Sequence, residues 1–395
     1  MDQGILHGIR VLDFTWMLAG PYTTRILADF GAEVIKVQSK KTAKGAESNL
    51  TGYFNTWNRN KKGITLDLDH PEAKEILLKL TQISDVLVEN YTPRVMSNWG
   101  LSYEKLKEVR PDLIMVSMSG FGQTGPRKDY VALGPTLQAL SGFTYLTSFH
   151  PDAPMGLGYA YADTIAGLYG AFAILAALEF RTGTGEGQYI DLSELEAIST
   201  LMGPTLLDVS ANHKRVFPQG NHSEHIPAAP YGCYQCLGED RWCVIAVFDE
   251  REWKALCHVL GHPPWTEEEK FSTPSKRKDH EETLNDLLEQ WTLQHTPEEV
   301  VDLLQKAGVS AGVIQNVEDL AKDPHLTARD FFIHLKHPIL GDTISSTTPF
   351  KFKEVPTTGW KAAPLFGEHN RYVYLELLGV TEDELSSYIE RGIIG

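Results

Sequence analysis

The chain has 395 residues, 42% of them hydrophobic and 22% charged, with 36 basic side chains against 52 acidic ones and a formal net charge of −16. That length can bury a large core and predicts more than one domain. The negative balance argues against nucleic acid or an anionic membrane as a general partner, so a polyanionic ligand must find a local basic patch.

The opening MDQGILHGIRVLDF has no basic segment leading into a long apolar run and does not read as a secretory signal. Within it, IRVLDFT is apolar and β-branched and reads as a first strand. AGPYTTRILADFG reads as a helix, with Pro21 suited to the first helical position and Gly31 to the stop. EVIKVQ is a second strand and GITLDL a third. HPEAKEILLKLTQIS follows as a helix with Ala73, Ile76, Leu77 and Leu80 on one face. DVLVEN is a fourth strand, SYEKLKEVR a helix and DLIMVSMSGFG a fifth strand. This alternation predicts an α/β fold with a parallel sheet, helices on both faces, and ligands at the carboxyl ends of the strands near a switch point. The first strand-to-helix turn, TWMLAGP, lacks G-x-G-x-x-G, and the second strand ends in Gln38 with no acidic residue to hold a ribose. A NAD-dependent dehydrogenase is therefore rejected, although the fold reads as Rossmann-like. No P-loop, H-E-x-x-H or G-x-S-x-G occurs.

Further on, the fourteen uncharged residues from Ile165 to Leu178 predict a buried helix, too short and too rich in Gly and Ala to span a bilayer. Asp163 stands just before it, where an ordinary N-cap is the bland reading. RTGTGEGQ reads as a turn, YIDLS as a strand and ELEAISTLM as a helix. YGCYQC and RWCVIAVF read as two strands of a hairpin joined at LGED. Cys233 and Cys236 form a C-x2-C, with Cys243, Cys257, His258 and His262 beyond, but no second C-x2-C follows; the hairpin is preferred to a zinc site and no metal is expected. Four cysteines in such a chain do not form a disulfide framework, which favours a reducing cytoplasm. Residues 261–283 are polar and rich in Pro and charge and read as an exposed loop. TPEEVVDLLQKAG is an amphipathic helix capped by Thr296 with Glu299 three residues later, and AGVIQ is a further strand.

Several stretches occur together and in order: GIRVLDFTWMLAGPYTTRILADFGAEVIKV, NRNKKGITLDL, DVLVENYTPRVMSNWGL, SMSGFGQTGP, YADTIAGLYGAFAILAAL, RTGTGEGQYIDLS, DPHLTARDFF and GEHN. As a set they resemble the family III coenzyme A transferases, the group of formyl-CoA and carnitine CoA-transferases, over nearly the whole chain. The segment GN…AAPYGCYQCLGEDRW leans toward members that act on larger organic acids, of the benzylsuccinate kind. The resemblance implies a Rossmann-like large domain over 1–224, a small α+β domain over 225–325 and a C-terminal segment, 326–395, that returns to the large domain. It implies an interlocked dimer, or a heteromer with a homologous subunit, that takes acyl-CoA and organic acid substrates.

The same resemblance makes Asp163 the catalytic carboxylate. Met17, Leu18 and Ala19 would line the thiol end of CoA, Asn90 and Tyr91 the pantetheine, and Asn98 and Trp99 the nucleotide region, with Ser39 and Leu66 beside them. Three departures stand out. Leu18 replaces a Gln of the formyl-CoA type, Ser39 replaces an Arg and Ala132 a Lys. The phosphates would then fall to Lys40, Lys41, Lys61, Lys62 or Arg94. The glycine loop of the formyl type is absent, and GNHSEHIP in its place offers His222 and His225 to the acid substrate, together with Gly134. An α-methylacyl-CoA racemase is the alternative within the superfamily, but the stretch DYVALGPTLQALSG carries no histidine to act as the second base.

Overall fold

The computed structural model describes residues 4–222, 226–355 and 359–395. It divides into two compact units, one of Met1–Thr144, Gly156–Val216 and Leu326–Gly395, the other of Tyr145–Met155 and Phe217–His325.

The first unit is built on a six-stranded sheet of β1 (Arg10–Asp13), β2 (Glu33–Gln38), β3 (Lys62–Thr65), β4 (Val86–Glu89), β5 (Ile114–Ser119) and β6 (Tyr189–Ser193). The order is β3-β2-β1-β4-β5-β6, and every pairing is parallel. The chain reverses its direction of winding between β1 and β4, which opens a crevice at their carboxyl ends. The strands read as continuous apolar runs because both faces are covered. Alternation along β1 sends Leu12 into a core with Ile35, Leu77, Leu80 and Leu385, and Val11 into a second core with Leu27, Val34 and Ile174.

The helices of this unit are α1 (Ala19–Asp29), α2 (Gly52–Asn58), α3 (Ala73–Gln82), α4 (Arg94–Asn98), α5 (Tyr103–Val109), α6 (Gly134–Leu140), α7 (Phe143–Leu146, whose last two residues are assigned to the second unit), α8 (Tyr161–Thr184), α9 (Glu194–Ser199) and α10 (Gly203–Ala211). The spaced residues Ala73, Ile76, Leu77 and Leu80 are all buried on α3, as their periodicity predicts. The C-terminal segment closes the β3 edge: Thr65 N–H donates to Asn370 Oδ1 (2.9 Å), the Tyr374 hydroxyl donates to Thr65 O (2.7 Å), and Asp67 N–H donates to Ile393 O (2.9 Å).

Helix α8 departs from its sequence reading in two ways. It runs for 24 residues, four before the uncharged run and six after it, so it is long and apolar enough to cross a bilayer by length and composition. One side is buried through Ala166, Gly170 and Ile174, where the helix packs on α1, α6, α9 and β5. The other side is not: Leu168, Tyr169, Phe172 and Leu175 are 40–70% exposed. An unbroken apolar run has no polar side to mark which face points outward, so sequence alone could not reveal this.

The second unit carries a three-stranded antiparallel sheet, β7 (Tyr231–Gln235), β8 (Trp242–Ala246) and β9 (Ser310–Val313), in that order. Helices α11 (Glu250–Val259), α12 (Pro274–Asp279), α13 (Glu281–Thr292), α14 (Pro297–Lys306) and α15 (Val317–Ala321) accompany it. Thr296 and Glu299 form the reciprocal capping box of α14. Cys236 and Cys243 sit in the core with Tyr234, Ile245 and Leu284. Residues 261–283 are not an exposed loop. They form two short 3-10 turns and α12, and they bury Phe271 and Arg277, whose guanidinium lies 4.5 Å from the Trp253 ring.

Candidate active site

The turn after β1 is set by a buried charge network. Asp13, Lys36 and Lys61 are 0–3% exposed. Lys61 Nζ donates to Asp13 Oδ2 (2.9 Å), Thr24 Oγ1 donates to the same oxygen (2.7 Å), and Thr15 donates to Oδ1 through its N–H and hydroxyl (2.9 and 2.6 Å). Burial would raise the Asp13 pKa; Lys36 and Lys61 outweigh it and hold the carboxyl down to about 2. Lys36 reaches on to donate to the Thr15 carbonyl. The next residues are fixed from other elements. Trp16 and Asn90 exchange two hydrogen bonds (2.8 and 2.9 Å), and Met17, at φ +62°, donates its N–H to the buried Glu47 (2.9 Å). Leu18 and Ala19 then open α1 and are buried.

A hollow of about 280 Å³ lies beside this turn at the carboxyl ends of β2, β3 and β4. Ser39, Leu66, Tyr91 and Trp99 line it, and Tyr91 stands edge-on to Trp99 at 5.5 Å. Of the expected residues, Ser39, Leu66, Tyr91 and Trp99 line this hollow; Met17, Leu18 and Ala19 belong to the turn after β1, to which Asn90 is hydrogen-bonded, and none of these four lines it. Asn98 ends α4 and is exposed.

Asp163 is the third residue of α8, not its N-cap. That position belongs to Ala160, and no side chain caps the helix. Asp163 Oδ2 is buried and takes no hydrogen bond. Gly134, first residue of α6, makes room for it: a Cβ there would lie 2.3 Å from that oxygen. One turn further along α8, Gly167 marks the contact with α1, where a Cβ would stand 2.8 Å from Tyr22 and 3.0 Å from the Ala19 carbonyl. The helix bearing Asp163 thus packs directly on the helix that begins at Leu18 and Ala19. Burial raises the Asp163 pKa above the ordinary carboxylate range, against a smaller lowering by its own backbone N–H.

The basic residues separate. Lys41 lines the hollow but is engaged by Asp67 and Asp69 (3.3 and 2.5 Å). Lys40 lines a neighbouring hollow with Ser48, Asn49 and Phe366. Arg94 is exposed, 3.4 Å from Asp129. Lys61 belongs to the Asp13 network. Lys62 starts β3, at the amino end of the sheet, where it pairs with Glu33 and lies over the Tyr372 ring. His222, in the second unit, pairs with the buried Glu281. His225 lies outside the described residues.

Two residues were not legible from the sequence. Glu194, at the start of α9, is 8% exposed, and its pKa is pushed up by burial first and by the Asp163 charge second. Tyr53 on α2 also senses Asp163: burial and then that charge raise its phenol to about 12. Neither lies in a motif: Glu194 stands on α9, which packs on α8, and Tyr53 on α2, which packs on α1.

Comparisons with known proteins identify the family of this chain. The model of CoA-transferase family III matches residues 6–370. The chain is 31% identical to succinyl-CoA--D-citramalate CoA-transferase of Chloroflexus aurantiacus, covering 98% of each chain. It is 31% identical to formyl-CoA:oxalate CoA-transferase of Rhodopseudomonas palustris, covering 98% of this chain and 97% of the relative. Among solved structures, a CAIB/BAIF family protein from Brucella suis superposes with a TM-score of 0.87 at 31% identity, over 95% of this chain and all of the other. The chain belongs to CoA-transferase family III and is an enzyme of the CoA-transferase type.

Proposed function

We propose that the protein moves CoA from an acyl-CoA donor to a carboxylic acid acceptor through a covalent thioester on Asp163. The observation that carries this reading is the unpartnered, buried Oδ2 of Asp163 facing Gly134. An oxygen without a hydrogen-bond donor keeps its lone pairs for attack, and burial raises its basicity. The carboxylate adds to the thioester carbonyl of the donor and expels CoA thiolate, leaving a mixed anhydride. The thiolate attacks the aspartyl carbonyl, forms the aspartyl-CoA thioester and releases the donor acid as its carboxylate. The acceptor carboxylate attacks that thioester and again frees the thiolate, which takes the acceptor acyl group and restores Asp163. Water would divert either intermediate to hydrolysis, which is the use of an apolar helix behind the nucleophile.

In this reading Met17, Leu18 and Ala19 meet the thiol end of CoA, Asn90 and Tyr91 the pantetheine, and Ser39, Leu66 and Trp99 the nucleotide, with Lys40, Arg94 and Asn98 at the rim. Lys61 and Lys62 take no part, because the first neutralises Asp13 and the second sits at the far end of the strands. His222, held by Glu281, has no role in it. The names of two relatives pair CoA with citramalate and oxalate, both dicarboxylic acids, so dicarboxylates are the acceptor class to assay first. A cytoplasmic, interlocked homodimer completes the proposal.

The test is CoA transfer from succinyl-CoA to a panel of dicarboxylates by the wild type and Asp163→Ala. The variant should lose transfer while retaining CoA binding by calorimetry. Wild-type turnover in the variant, or α-proton exchange into deuterated water without transfer, would overturn the reading, the latter in favour of a racemase.

A further inference from the structure

Asp163 is not the only carboxyl at this place. Glu194 is the first residue of α9, following Ser193 as N-cap, and it is more than nine-tenths buried. Helix α9 packs against both α8 and α6, the two helices that enclose the Asp163 carboxylate. Leu137, Ala162 and Ile198 form the apolar contact between them. Among the described residues no hydrogen-bond donor and no cation reaches the Glu194 carboxyl. The carboxyl oxygens keep some contact with solvent, but a carboxylate so largely buried and without a counter-charge is costly to ionise.

The surroundings leave Asp163 as the group that decides its state. Helix α6 and the turn Thr200–Met202 bring nothing titratable to it. On its own helix Glu196 is exposed, and on β6 Asp191 is engaged by the Gln123 N–H (2.8 Å). Around Asp163 itself, Tyr53 on α2 senses both Asp163 and the buried Glu47; Tyr22 on α1 lies against Gly167, one turn along α8, and Arg25 is near Asp29 at 3.8 Å. Among the described residues no ion pair involves Asp163 or Glu194.

We propose that Glu194 is a positioning residue of the active site: it holds the proton that leaves one negative charge on the Asp163–Glu194 pair, so that Asp163 alone is anionic beside the acyl carbonyl. This rests on the assignment of Asp163 as nucleophile. Two consequences follow from charge alone. With one charge on the pair, an anionic acid substrate approaches a single carboxylate. When Glu194 ionises, a second charge repels both the substrate carboxylate and the returning CoA thiolate. Once Asp163 is acylated its charge is gone, and Glu194 binds its proton less tightly than in the resting enzyme. The pair therefore titrates in two steps that belong to it jointly. The first switches the enzyme on and the second switches it off.

The experiment is the pH dependence of single-turnover acylation of the full-length protein by succinyl-CoA, read as adduct on Asp163, in the wild type and Glu194→Gln. The wild type should give a bell-shaped profile. Glu194→Gln should keep the acid limb and lose the alkaline fall. An adduct that forms with the same bell in Glu194→Gln overturns this inference while leaving the nucleophile intact, whereas no adduct on Asp163 in the wild type at any pH overturns the nucleophile itself. Should Glu194→Gln fail to fold, the Glu194 carboxyl carbon is followed by NMR in the wild type and Asp163→Asn. Its midpoint should fall by at least about one pH unit when the neighbouring charge is removed; an unchanged midpoint overturns the inference.

Discussion

At the scale of single residues, the site depends on what is missing around one oxygen. Asp163 Oδ2 has no donor, and Gly134 has no side chain to crowd it. Gly134→Ala would place a methyl 2.3 Å from that oxygen, and because the atom it meets is the nucleophile, the carboxylate has to swing away. We expect a fall in kcat of about 10²-fold with CoA affinity retained, since misplacement by about 1 Å costs that much; steady-state kinetics against calorimetric CoA binding checks it. The sequence carried this residue only in part. Composition and spacing offer Asp163 as a helix cap, and resemblance to a family is what raises it above that. The cap reading fails for a local reason: the helix begins two residues earlier, at Tyr161, so Asp163 falls at a position where its side chain turns toward α6 and not onto the helix end. Glu194 was out of reach altogether, because thirty residues of chain lie between it and Asp163 and no motif spans them.

At the scale of elements, the turn from β1 into α1 is held from below by the Asp13 network and from the sides by Asn90 and Glu47. Asp13 is ionised between two buried lysines, so its removal strands their charge. Asp13→Asn should destabilise the protein by about 3 kcal/mol or more, the usual result of breaking a buried pair from one side. Denaturation by urea at neutral pH measures it. The sign of the pH dependence follows from the lowered pKa: this stabilisation is present above the ordinary aspartate range and is lost as the pH falls toward about 2. The wild type should thus approach the variant on acidification. The alternation of strand and helix up to Ser119 was legible because parallel strands buried on both faces leave short apolar runs between amphipathic helices. Residues 261–283 were misread because their helical turns are short and polar, and the buried side chains that anchor them, Thr266, Phe271, Arg277 and Glu281, are too irregularly spaced to make a period.

At the scale of the whole molecule, α8 serves two surfaces. Its buried side carries Asp163 toward α6 and α9. Its other side leaves Leu168, Tyr169, Phe172 and Leu175 exposed, and α10 adds Leu206, Leu207 and Val209 at 49–63%. Exposed apolar side chains in such number mark an interaction surface, and the proposed homodimer would cover it. Phe172→Glu, at the most exposed of these positions on α8, should shift sedimentation from dimer toward monomer; an unchanged dimer would remove this surface from the interface. The expectations for Gly134 and Glu194 presuppose that Asp163 forms the covalent bond. Incubating the protein with acyl-CoA, treating it with hydroxylamine or borohydride and mapping the product by mass spectrometry tests that most directly. The account predicts modification at Asp163 that requires acyl-CoA and is absent from Asp163→Ala; transfer activity with no modification at Asp163 would contradict it.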